Sequence, residues 1–104
     1  MKIKERDGYV VDVFATYFIG SETMFLGLPR NHGGLSAYKM VDVEIIDNVI
    51  NGKYVFYQNN GQGIYHWSLI EERLLDDLLE LDEDAYKRFL EILKEEGQIE
   101  DDFY

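Results

Sequence analysis

An α+β fold is what the residue pattern predicts: an antiparallel β-meander of about five strands followed by two C-terminal helices packed on one sheet face. Three observations lead there. Residues 9–67 run through stretches rich in Val, Ile, Tyr and Phe that alternate apolar and polar side chains with the two-residue period of a strand. After Trp67 the apolar residues recur roughly every three and a half positions, the spacing of a helix stripe. Turn-forming residues, among them Gly20, Pro29 and Asn51-Gly52, punctuate the first part repeatedly, whereas the second holds a single glycine, Gly97.

Tyr9 to Ile19 is the first strand, with Val11, Val13, Ala15, Tyr17 and Ile19 read on one face and Asp12 and Thr16 on the other. Gly20-Ser21-Glu22 turns it into Thr23–Leu28, and Pro29 ends that strand because proline cannot donate to a ladder. Pro29–Gly34 is an exposed loop. Leu35–Ile46 alternates again, with Ala37, Lys39, Val41, Val43 and Ile45 opposed to Tyr38, Met40, Asp42 and Glu44. Asn51-Gly52 tolerates the positive φ of a tight hairpin turn and launches Lys53–Gln58. Asn59-Asn60-Gly61-Gln62-Gly63 then returns the chain into Ile64–Trp67.

Ser68 and Glu71 have the spacing of a capping box, which predicts a helix from Ser68 to Leu81 with Ile70, Leu74, Leu78 and Leu81 as its stripe. Asp82 is placed to cap a second helix that buries Tyr86, Phe89, Leu90 and Leu93 and stops at Gly97. Gln98–Tyr104 forms a short acidic tail.

With 104 residues, 46% of them hydrophobic, the expectation is a single domain spanning 1–104, a β part over 1–67 and an acidic helical part over 68–104. A chain of this mass exposes roughly 6,000 Å² when folded against roughly 17,700 Å² unfolded, enough burial for a core without staples. There is no cysteine, so disulfides, zinc–thiolate sites, iron–sulfur clusters and cysteine catalysis are excluded. No cofactor is expected. The charged N-terminus lacks the apolar run of a secretory signal, and no stretch has the ~20 apolar residues of a membrane span, so a cytoplasmic location is expected.

The net charge is −11, which predicts repulsion from nucleic acid and anionic membranes and attraction to a basic protein partner. The charge is unevenly placed. Residues 1–67 hold seven acids and six bases, whereas 68–104 hold fourteen acids and four bases. Capping and the helix dipole account for Glu71, Asp82, Glu83 and Asp84. Glu72, Asp76 and Glu80 stand at i, i+4 and i+8, a row of like charges that costs about 0.2–0.5 kcal/mol per pair. That row, with Asp77 and the Glu100-Asp101-Asp102 tail, is read as a face that opposes a basic partner by imitating a line of phosphates.

The aromatic content of 14% points to a second candidate surface. Two helices cover one sheet face, which leaves Tyr9, Tyr38, Met40 and Tyr54 or Phe56 as interface anchors on the other. An oligomeric accessory subunit, such as a homodimer through that face, is one alternative. A small hydrolase or metal-dependent enzyme using His32 and His66 with Asp42 and Glu44 is another, provided those side chains converge. No phosphate loop, HExxH or GxSxG pattern is present. In general character, a small, acidic, cysteine-free α+β chain resembles bacterial toxin-immunity proteins and phage-encoded inhibitors. The resemblance implies a non-catalytic protein that neutralises a basic partner such as a nuclease toxin, and it carries no site residues across.

Overall fold

The computed structural model describes residues 1–58 and 62–104; the Asn59-Asn60-Gly61 part of the predicted turn lies outside them. Among the described residues the chain is α+β, with seven strands in one antiparallel sheet and three α-helices packed on it, the longest C-terminal. The strands are β1 (Lys2–Lys4), β2 (Val10–Ile19), β3 (Glu22–Leu28), β4 (Ser36–Lys39), β5 (Glu44–Asp47), β6 (Tyr54–Gln58) and β7 (Gln62–His66). The helices are α1 (Trp67–Glu71), α2 (Leu75–Leu79) and α3 (Glu83–Glu95).

β2 organises the sheet because its ten residues are longer than any one partner needs. β3 runs along one side of it, and β4 extends β3. On the other side β1 pairs with Val10–Asp12 and β7 with Ala15–Phe18, so two short strands lie end to end along one long one. β5 then extends β1, and β6 extends β7.

A β-bulge corrects the facing predicted for this strand. Val13 opposes Gly27 and Ala15 opposes Leu26, which leaves Phe14 as an extra residue. One extra residue inverts the alternation beyond it. Val11 and Val13 therefore join Ile3 and Phe25 in a small cluster on one side of the sheet, while Phe14 and Ala15 join the main core under the helices.

Leu35–Ile46 is likewise not one strand. A 3₁₀ turn over Met40–Asp42 divides it into β4 and β5, which sit at opposite ends of the strand order. A link containing such a turn spans only about 13 Å. Flat sheet would hold those edges about 19 Å apart. The sheet is thus curled into a partly open barrel around Ile3, Val11, Val13 and Phe25, with Tyr38 and Val43 packed against them.

The opposite face carries the helices, with Leu69, Leu78, Phe89 and Leu93 at most 1% exposed against Leu26, Leu28 and Tyr65 of the sheet. Asp82 caps α3 as predicted, accepting from the Ala85 N–H at 2.8 Å. Gly97 (φ 69°) closes it, with the Gln98 N–H donating back to the Leu93 carbonyl at 2.9 Å. The predicted helix 68–81 is instead two short helices separated at Arg73, which is left-handed (φ 57°). A continuous helix would have stacked the three like charges of the row; the break separates Glu72 from the other two.

Candidate binding faces

The capping box at the start of α1 does not form. His66 is the cap: its Nδ1 accepts from the Ser68 N–H at 3.3 Å and lies 2.8 Å from the Ser68 hydroxyl. Glu71 instead takes Lys53 at 3.1 Å. Glu72 is also committed, since Arg88 of α3 donates to both of its oxygens at 2.8 and 2.9 Å. Those hydrogen bonds hold its carboxyl below the usual carboxylate range. The row of like charges read as facing a basic partner is therefore shorter by one member.

Asp76 and Asp77 in the first turn of α2 and Glu80 just beyond it are all exposed, and they form no ion pair among the described residues. From Asp76 to Asp84 the chain carries six acids and no base. Inside this run Leu79 and Leu81 are 45% and 50% exposed. Leu81 is left-handed (φ 62°), a conformation that costs a non-glycine residue about 1–2 kcal/mol and persists only where the surroundings enforce it. The enforcement is visible. The Asp82 N–H donates to the Asp77 carbonyl at 2.9 Å, and the Leu35 N–H donates to the Leu78 carbonyl at 3.2 Å. The run is thus a fixed display of acids around two leucines. The sequence counted Leu81 in the helix stripe; the chain leaves the helix before reaching it, and Leu81 stands outward beside Leu79 at the end of α2.

A second surface lies on the other side of the sheet, at the mouth of the curl. It is a trough of about 570 Å³ whose floor is Thr16 and Phe25, with Phe18 and Ile64 beyond them. Met40 and Phe56, both expected anchors, meet here with Ile45 and Ile50. Phe56 is 65% exposed and Phe18 54%. Tyr38 and Tyr54 are elsewhere. Tyr38 packs on the cluster inside the curl. Tyr54 turns its hydroxyl toward the Val13 carbonyl at 3.4 Å, and burial pushes it up to about 12. Tyr9 is exposed on the approach to β2, outside the trough. Phe18 was missed, although it continues the Thr16 face that the strand period had already assigned.

Among the described residues, His32, His66, Asp42 and Glu44 have no partner in common. His32 is in the loop beside the Ser36 hydroxyl at 3.1 Å, and Asp42 pairs with Arg6 at 3.5 Å. Glu44 is exposed at the start of β5. His66 is fully buried between the rings of Phe14, Tyr54 and Phe89, with Nε2 on Glu96 at 2.7 Å. Ser68, His66 and Glu96 have the order of a nucleophile relay, but a fully buried Ser68 offers its hydroxyl to nothing but the imidazole. The Trp67 indole donates to the other Glu96 oxygen at 2.7 Å. Burial works to raise the Glu96 carboxyl, and the Trp67 and His66 hydrogen bonds overcome it and hold it low. The cluster ties β7, α1 and α3 together. Among the described residues no three His, Asp or Glu side chains gather to hold a metal ion. No described helix is long and apolar enough to cross a membrane.

No protein-family model, curated protein or solved structure matches the chain.

Proposed function

We propose that the protein is a non-catalytic binding and inhibitor protein of the immunity type, acting in the cytoplasm, which neutralises a basic partner such as a nuclease toxin. The observation that carries this reading is the exposed run from Asp76 to Asp84, where Asp76, Asp77 and Glu80, which form no ion pair among the described residues, stand beside Leu79 and a strained Leu81. Acids arranged in this way accelerate encounter with a basic cleft, and desolvated leucines at the centre slow dissociation. Strain at Leu81 is absorbed on folding, so the display is already in place when the partner arrives. Nucleic acid and anionic membranes are repelled by the same field.

The test is capture from cell lysate at low and at high salt, followed by activity assays of the captured protein. The reading expects a basic protein, retained at low salt, whose nucleic-acid-degrading activity is suppressed by stoichiometric addition of this chain. Capture of acidic or neutral proteins alone, independent of salt, would contradict it.

A further inference from the structure

The trough at the mouth of the curl differs from the rest of the molecule in its chemistry. The chain is 30% charged, yet none of the thirteen residues lining the trough has an ionisable side chain. What it offers instead is an apolar surface interrupted by four neutral hydrogen-bonding side chains, Thr16, Thr23, Asn48 and Gln62. Its volume of about 570 Å³ lies within the roughly 300–1,000 Å³ of small-molecule sites, which favour the mouths of β-barrels and combine apolar walls with a few polar groups.

The floor is rigid. Phe25 is 1% exposed and belongs to the buried cluster of the curl, and Thr16 and Ile64 oppose one another in the β2–β7 ladder. Gly63 keeps that ladder close: a methyl group there would overlap the Thr16 carbonyl oxygen and the Tyr17 backbone. The walls are side chains that the fold leaves in water, Phe18, Met40, Ile45, Ile50 and Phe56. Five large apolar residues exposed around one concavity cost solvation that a bound apolar group recovers.

We propose that this trough is a binding site for a neutral, largely apolar small molecule carrying one or two uncharged hydrogen-bonding groups. Charge complementarity selects that class. A carboxylate would lose its hydration against an apolar wall with no cationic side chain to meet it, in the field of a chain of net charge −11; the α-ammonium of Met1, the one formal charge among the lining residues, acts on Asp12. The site is on the sheet face opposite the helices, so occupancy is independent of a partner on Asp76–Asp84.

The experiment is a titration of the ¹⁵N-labelled full chain with 1-decanol, and separately with decanoate, followed by amide shifts. Saturable changes centred on Thr16, Phe18, Thr23, Ile45, Phe56 and Ile64 are expected, with decanoate at least tenfold weaker. Met40→Glu, outside the strand ladder, and Phe18→Glu should each weaken decanol binding at least tenfold, while Asp76→Lys leaves it unchanged. Three results would overturn the proposal: shifts that stay linear or map to the helices, equal affinity for decanoate, or sedimentation showing a dimer that shields the same residues, which would make a second copy the occupant.

Discussion

The two sides of the sheet differ in what they bury. Under the helices the sheet meets Leu69, Leu78, Phe89 and Leu93 in a continuous apolar core. Inside the curl only Ile3, Val11, Val13 and Phe25 are closed off, and the adjoining apolar residues stay in solvent. The difference comes from the bulge at Phe14, which assigns the β2 residues before and after it to different layers. One layer carries stability, and it leaves the other free to expose apolar groups that a purely structural face would cover.

The largest effect that separates the layers is aromatic truncation. Phe89→Ala removes a ring packed edge-on against Phe14 at 5.5 Å and His66 at 5.8 Å, and is expected to cost about 3–5 kcal/mol in urea unfolding. Phe56→Ala should stay within about 0.5 kcal/mol of the parent. Equal losses would erase the distinction. Next comes the seam between the layers. Gly63→Ala must push β7 away from β2, and a loss of about 1–3 kcal/mol is expected, with faster hydrogen exchange at Thr16 and Phe18 than at Phe89.

Leu81→Gly acts on the acidic display rather than on either layer. Relief of the left-handed backbone should leave stability unchanged or raise it by up to about 1 kcal/mol, while partner binding weakens. A stability loss without a binding defect would make Leu81 a core residue. The smallest effect is on acidification. Glu72 and Glu96 both have carboxyls held below their ordinary value of 4.5, so the stability they contribute is present above that pH and is lost as pH falls through their lower folded values. Glu96→Gln should flatten this acid limb, and a pH–stability curve that keeps its full slope in the variant would assign the limb to other groups.

Much of the fold was legible because periodicity and turn chemistry are local. The change of period at Trp67, the Asp82 cap and the Gly97 stop all rest on neighbouring residues. What escaped the sequence depends on partners far along the chain. The bulge at Phe14 shows only in its register against β3, and the division of 35–46 follows from the need to join two sheet edges; the Arg88–Glu72 pair joins residues sixteen apart. The acidic surface was legible in part, since Asp76, Asp77 and Glu80 remain in water, but their leucine companions were hidden by a helix pattern that the chain does not complete. Of the aromatic face, Met40 and Phe56 were legible and meet in the trough. Tyr38 and Tyr54 could not be told from them, because alternation assigns a face but not what closes it, the curl for Tyr38 and the buried His66 ring for Tyr54.

The proposed recognition of a basic partner by Asp76–Asp84 is read out in association kinetics. The association rate of the captured partner should fall steeply between about 50 and 500 mM salt, since screening shortens the reach of the acidic field. Asp76→Lys, Asp77→Lys and Glu80→Lys together should lower the rate at low salt at least tenfold and remove most of that salt dependence. An unchanged rate and an unchanged salt slope in the triple variant, with its fold intact by circular dichroism, would contradict the account.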